Sequence, residues 1–165
     1  MSRSALLWVF LLIQCEFCSA QAHPVKIAPS GTTTISISYG TKKIEAEFRT
    51  ATVPISPSER SERRFAQCTY SRFPCSLTEK VSIRIGGNDV FIPRSAYADL
   101  GDILTAQLSA DAKSVTLTIT GGDASESYVA MLIFNQERLV QRKLYSGEDP
   151  DHPLEISQYY EVSMD

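Results

Sequence analysis

Apolar and polar residues alternate with a period of two along most of the chain, the pattern that places successive side chains on opposite faces of a β-strand. The alternation is clearest where Val115, Leu117 and Ile119 are separated by threonines. Stretches of the same kind recur along the chain and predict about nine strands, at 34–39, 44–55, 81–85, 90–92, 104–108, 115–119, 128–134, 139–145 and 154–162.

The second of these stretches changes phase partway along. Apolar residues occupy even positions from Ile44 to Phe48 and odd positions from Ala51 to Ile55. A change of parity within one strand indicates an inserted residue, because each added residue moves the following side chains to the opposite face. We therefore expect a β-bulge or a bend near 49–51.

Turn and cap signals divide the predicted strands. The run 86–89 is Gly-Gly-Asn-Asp and predicts a tight hairpin, and 95–100 reads as one helical turn that ends at Gly101. Ser56 precedes Pro57 and lies three residues before Glu59, the arrangement of a capping box, which predicts a helix over 57–67. The fold class expected is all-β: an antiparallel β-sandwich or partly open barrel of about nine strands with one short helix.

Three strands near the end of the chain carry specific expectations of burial. The run 128–134 is apolar on both parities, so we expect both of its faces to be covered, at the centre of the core. In the strand at 139–145, Arg142 and Lys143 are expected to reach solvent. In the last strand, Leu154 and Ile156 share the apolar parity, which predicts that the acidic residues on the other parity form an outer face.

The amino terminus predicts export. The apolar run from Ala5 to Ile13 is too short to cross a bilayer, which takes about 20 residues, and it fits the core of a signal peptide. Small residues favour cleavage after Ala20, and cleavage after Ala22 is the alternative. We expect residues 1–20 to be removed and 21–165 to form a single domain in the periplasm or outside the cell, with no membrane span in the mature form.

The positions of the cysteines agree with the predicted export. Cys15 and Cys18 belong to the leader, and Gln14 and Phe17 before them disfavour a lipid anchor, because lipid attachment would favour a small residue there. The mature chain keeps Cys68 and Cys75, which are expected to form a disulfide and to stabilise the fold by roughly 2 to 3 kcal/mol through loop closure. Six intervening residues disfavour a redox-active pair, which is usually separated by two.

The net charge and its distribution along the chain narrow the classes of molecule that the protein is expected to bind. The net charge is −3, so no attraction to nucleic acid is expected. The charge is uneven, because the carboxyl-terminal residues 146–165 hold no Lys or Arg and carry six acids: Glu148, Asp149, Asp151, Glu155, Glu161 and Asp165.

The sequence carries no recognisable catalytic, metal or cofactor motif. The histidines of the mature chain are His23 and His152, and no Ser in a Gly-x-Ser-x-Gly elbow accompanies them. Asp149 and Asp151 beside His152 fit a solvated turn better than a metal site. The alternative function, a small hydrolase acting on envelope glycan or cell-wall polymer, would need loop carboxylates, and the candidates are Asp99, Asp102, Asp123 and Glu126.

A basic and aromatic cluster beside the expected disulfide is the candidate binding surface. Arginine and tyrosine are frequent anchors of protein interfaces. The cluster consists of Arg60, Arg63, Arg64, Tyr70 and Arg72, with Phe65 and Phe73 between them. A solvated helix face whose aromatic residues point to the core is the alternative interpretation, and a second candidate surface is Arg94, Tyr97 and Asp99. The function expected is a non-catalytic exported protein that recognises another protein, as an inhibitor, immunity factor or envelope component.

Overall fold

The computed structural model describes residues 19–54, 68, 69, 72 and 74–161 and contains eleven strands in that part of the chain. The all-β prediction is confirmed. The strands are β1 Ala20–Gln21, β2 Val25–Lys26, β3 Gly31–Tyr39, β4 Lys42–Val53, β5 Cys75–Ile85, β6 Asn88–Val90, β7 Ile103–Ala110, β8 Val115–Gly121, β9 Tyr128–Phe134, β10 Leu139–Ser146 and β11 Pro153–Gln158.

The strands form two antiparallel sheets. The larger sheet has the order β1-β7-β8-β9-β10-β11, and β2 also pairs with β7; the smaller has the order β3-β4-β5-β6. Each predicted strand has a counterpart, and the two additional strands, β1 and β2, have two residues each. The return strand expected at 90–92 is instead Asn88–Val90, because the turn before it occupies only Gly86 and Gly87. The expected helical turn is a 3₁₀ helix at Arg94–Ala96, and a second lies at Ala124–Glu126. The predicted helix at 57–67 lies outside the described residues.

One hydrophobic core joins the two sheets. Each strand sends alternate side chains into it, as the period-two pattern requires. The fully buried large side chains include Ile44, Phe48 and Ile83 from the smaller sheet, and Leu108, Leu117, Ile119, Leu132 and Phe134 from the larger. Burying each of these contributes about 1.5 to 3 kcal/mol, so the core supplies the main driving force for folding.

A register shift between β4 and β5 lies near the predicted position, but the extra residue belongs to β5. Arg49 pairs with Lys80 and Thr50 pairs with Thr78, so the register skips Glu79. Within β4 the alternation continues without a change of phase, and Thr50 is buried on the same face as Phe48. The hydroxyl Oγ1 of Thr50 donates to the backbone oxygen of Ala28 at 2.7 Å. The phase change predicted in β4 is therefore wrong, because a threonine takes the buried position that follows Phe48.

Two burial expectations in the larger sheet are wrong. In β7 the register shifts between Ile103 and Thr105, which leaves Leu104 exposed rather than in the core. In β9 the residues of one parity are buried, whereas Val129, Met131 and Ile133 on the other are only partly buried. β9 lies in the middle of its sheet, and among the described strands it is covered on one face only.

The expectation for Arg142 is also wrong. The register between β9 and β10 shifts between Leu139 and Gln141, so the residues after the shift change faces. Arg142 lies opposite Leu132 on the core side and is 2% exposed. Lys143, which follows it, faces the outside as predicted.

The faces of β11 are the reverse of the prediction. The carboxyl-terminal segment does form a strand, but Leu154 and Ile156 are 70% and 52% exposed. Glu155 and Ser157 take the side that faces Arg142. The apolar parity of this strand is therefore presented to solvent, because the partner of Glu155 is a buried cation. No helix within the described ranges is long and apolar enough to cross a membrane.

Candidate functional site

The predicted disulfide is confirmed. Cys68 and Cys75 are bonded, with their Cα atoms 5.5 Å apart. Cys75 is the first residue of β5 and is fully buried. The bridge therefore closes the last part of the connection between β4 and β5 against the beginning of a core strand.

A buried carboxylate holds both sides of this bridge. Asp102 is 2% exposed, and its Oδ2 accepts hydrogen bonds from the backbone N–H and the hydroxyl of Thr69, both at 2.9 Å. Its Oδ1 accepts from the backbone N–H of Ser76 at 2.8 Å. Thr69 follows Cys68 and Ser76 follows Cys75, so one side chain binds the neighbour of each cysteine.

The backbone of Asp102 is fixed as tightly as its side chain. Its N–H donates to Ser76 O at 2.7 Å, and its carbonyl accepts from Gly122 N–H at 3.2 Å. Its φ of +48° lies in the left-handed region, which Asp and Asn tolerate better than most residues. Asp102 therefore links β5 in the smaller sheet to the end of β8 in the larger.

Tyr128 covers the neighbouring part of the larger sheet. It lies opposite Gly121 in the β8–β9 pair, and its hydroxyl donates to Gly101 O at 2.8 Å. Burial, followed by the nearby carboxylates of Asp102 and Asp99, raises the pKa of Tyr128. The phenol therefore stays protonated and serves as a hydrogen-bond donor next to the Asp102 anchor.

Replacing Gly121 with Ala should destabilise the protein by about 1 to 3 kcal/mol, because there is no room for a methyl group. A Cβ at this position would lie 2.3 Å from the Tyr128 hydroxyl oxygen. The tyrosine would have to move and release Gly101. Urea unfolding measures the loss, and the same substitution in a Tyr128→Ala background should cost clearly less. Equal costs in both backgrounds would contradict this packing.

A second polar cluster lies around Arg142, between β10, β11 and the segment after the first 3₁₀ helix. Nη2 of Arg142 contacts Asp99 Oδ2 at 2.5 Å, and Nη1 contacts Glu155 Oε1 at 2.8 Å. Burial opposes the charge, but the hydrogen bonds to Glu155 and Asp99 raise the pKa of Arg142. Its buried Nε has no hydrogen-bond partner among the described residues.

Glu155 makes the stability of this cluster dependent on pH. The hydroxyl of Ser157 and then Arg142 hold the pKa of Glu155 below its ordinary value. A carboxyl group whose pKa is lower in the folded chain contributes stability above its unfolded pKa, and this contribution is lost as the pH falls through the folded pKa.

The protein should accordingly lose stability as the pH falls from about 5 to about 3. Glu155→Gln should flatten this limb of the pH profile, because residue 155 then no longer titrates. Ser157→Ala should instead move the limb to higher pH, because it removes the main cause of the lowered pKa. Urea midpoints across the pH range provide the measurement. A Glu155→Gln profile that parallels the wild type would contradict the assignment.

The structure describes only part of the predicted binding surface. Arg72 is half-buried, and its Nη1 donates to the backbone oxygen of Asp102 at 3.4 Å, so it contacts the anchor. The remaining members, Arg60, Arg63, Arg64 and Tyr70, lie outside the described residues. In the second candidate surface, Tyr97 is buried, whereas Arg94 and Asp99 are exposed and Asp99 also binds Arg142.

The candidate carboxylates of the hydrolase alternative have structural contacts. Both oxygens of Asp102 hold backbone or hydroxyl donors, and Asp99 holds Arg142. His152 is exposed and contacts Asp149 at 3.1 Å within its own turn. Within the described segments, no group of three or more His, Cys, Asp or Glu residues could hold a metal ion.

Sequence reasoning missed the roles of Asp102 and Arg142 for different reasons. Asp102 was one of several loop acids, and its partners lie 26 and 33 residues away in the chain. Arg142 shares its parity with Val140 and Leu144, which is the one local indication that it faces the core. Comparisons of the chain with protein-family models, curated proteins and solved structures find no match.

Proposed function

We propose that this chain is an exported, non-catalytic protein that recognises another protein through the surface beside the Cys68–Cys75 bridge. The strongest support is that two contacts hold the end of the connection before β5. They are the disulfide and the hydrogen bonds to the buried carboxylate of Asp102. Both contacts act on the connection between β4 and β5, which contains Arg60, Arg63, Arg64, Tyr70 and Arg72.

Fixing one end of a connection favours binding for an entropic reason. A segment whose freedom is already restricted loses less conformational entropy on association, which increases the affinity. Burying a carboxylate is costly unless its oxygens are satisfied, and here they are satisfied by the residues that follow the two cysteines. Arginine and tyrosine side chains on such a segment are suitable interface anchors.

Affinity capture from the native periplasmic or secreted fraction tests this surface. We expect the protein to recover one stoichiometric partner, and Arg63→Glu with Arg64→Glu to weaken that binding at least about tenfold. Lys26→Glu with Lys113→Glu is the matched control, because it makes the same charge change at exposed positions elsewhere. Equal binding by both double variants would reject the proposed surface.

Export is tested separately by mass spectrometry of the protein from its native host. We expect a mature amino terminus at Gln21 or His23 and an intact Cys68–Cys75 linkage. A retained leader would reject the exported location while leaving the binding surface open to the capture experiment. The hydrolase alternative remains a prediction without a supporting contact, because Asp99 and Asp102 are engaged in the fold.

A further inference from the structure

Among the described strands, β11 pairs only with β10 and forms the margin of the larger sheet, so its outer edge has no neighbour there. Tyr159 N–H donates to Val140 O at 3.0 Å, so this pair is hydrogen-bonded. Antiparallel pairs alternate between bonded and non-bonded. The register therefore assigns the inward-facing backbone groups to Glu155 and Ser157, and directs those of Ile156 and Gln158 outward. Leu154 is the extra residue of a register shift and has no directly opposite partner.

This edge has few of the features that normally prevent strand addition. Edge strands are usually protected by lysines, by prolines or by charges that point along the sheet. Pro153 and a register shift at Leu154 are confined to the first two residues of β11. The charge of Glu155 is neutralised by Arg142. The remainder, Leu154 to Gln158, offers hydrogen-bonding groups together with two exposed apolar side chains.

The charges around the edge define the partner that would suit it. Glu148, Asp149 and Asp151 are exposed just before β11, and Glu161 is exposed just after it. The segment 146–165 contains no Lys or Arg to offset them. An added strand would therefore meet an apolar centre with negative charge at the end before β11. At the other end, Arg138 Nη1 donates to Tyr159 O at 3.1 Å and offsets the charge of Glu161. A second copy of this chain would bring the same negative charges together and is disfavoured.

We propose that the edge of β11 is a second binding site, which accepts an extended peptide segment with a β-branched centre and a basic end as an additional strand. Main-chain hydrogen bonds to Ile156 and Gln158 would supply the affinity, and the acidic residues before β11 would select the basic partner. The site lies on the larger sheet, and it does not depend on the basic surface beside the disulfide.

A defined pair of probes tests the chemistry. We would measure fluorescence anisotropy with the labelled peptide Lys-Lys-Val-Thr-Val-Thr-Val-Lys-Lys and with its counterpart bearing Glu in place of each Lys. The basic peptide should bind at least about tenfold more tightly than the acidic one, and binding should weaken as salt is raised from about 50 to about 300 mM. Equal affinity for both peptides, or no binding of the basic one, would reject the site.

A proline substitution tests the location. Ile156→Pro removes an outward-facing N–H without removing a bond to β10, so the fold should be retained while peptide affinity falls at least about tenfold. Ser36→Pro is the control, because Ser36 occupies an equivalent outward-facing position on β3, the edge of the smaller sheet. Asp151→Lys with Glu161→Lys supplies an independent variant if Ile156→Pro fails to fold, and it should also weaken binding of the basic peptide.

Amide hydrogen exchange gives a readout at single residues. Peptide binding should slow exchange at Ile156 and Gln158, whereas Glu155 and Ser157 should already be protected in the free protein. Arg63→Glu with Arg64→Glu should leave peptide affinity unchanged, which separates this site from the surface in the proposed function. A dimer in sedimentation that Ile156→Pro abolishes would assign the edge to a second copy and overturn the proposal.

Discussion

Replacing Asp102 with Asn should destabilise the protein by about 3 kcal/mol, one of the two largest effects expected of a single side chain here. The substitution preserves shape and tolerates the left-handed backbone, so its effect reports on the hydrogen bonds. The carboxylate offers acceptors to Thr69 on one oxygen and Ser76 on the other. The amide of Asn has one acceptor oxygen, so its NH₂ group would face the backbone N–H of either Thr69 or Ser76. The hydrogen bond on that side would be lost.

The measurement is urea unfolding, supported by hydrogen exchange at the amides of Thr69 and Ser76, which should lose protection in the variant. Asp89→Asn serves as the control, because Asp89 is an exposed residue that forms a surface pair with Arg84. Such pairs contribute about 0 to 1 kcal/mol. A loss at Asp102 no greater than the loss at Asp89 would show that the anchor is not energetically important.

Arg142→Ala should cost about 3 kcal/mol, whereas Arg142→Met should change stability by less than about 1 kcal/mol. The alanine variant leaves a cavity beside the core and removes the cation that Asp99 and Glu155 share. Methionine refills the space without a charge, and the two carboxylates can turn to water because each is about half exposed. The contrast separates packing from charge at one position.

Thermal and urea unfolding of both variants measure this contrast. Lys143→Ala provides the matched control, because the neighbouring side chain lies on the opposite face and is only partly buried. Its substitution should change stability by less than about 0.5 kcal/mol. Similar losses for Arg142→Met and Arg142→Ala would indicate that the ion pairs, rather than the filled volume, determine the stability at this position.

Local periodicity predicted the strands well, because each strand buries one face against a shared core. The alternation at Val115, Leu117 and Ile119 corresponds to the observed structure, whereas the phase change predicted in β4 does not occur. The other failures occur where a register shift moves residues to the opposite face. The shifts after Ile103 and Leu139 change the face of Leu104 and Arg142, and counting parity from the first residue of each strand does not reveal them.

The candidate site was predictable only in part for a related reason. The spacing of Cys68 and Cys75 predicts their bridge, because both residues belong to one short loop. The carboxylate that holds this loop comes from the other side of the fold, where β7 begins. Loop acids are common and look alike in sequence, so the burial of Asp102 emerges only when β5 and β7 are brought together. The reversed faces of β11 follow in the same way from the burial of Arg142.

The contacts of Asp102 have a consequence for how the disulfide forms. In a folded chain with free thiols, the carboxylate would still gather the residues that follow Cys68 and Cys75, and so raise the effective concentration of one thiol near the other. By thermodynamic linkage, any preference of these contacts for the bridged loop must favour oxidation by the same free energy. Asp102 would therefore act as a template that favours the pairing of Cys68 with Cys75.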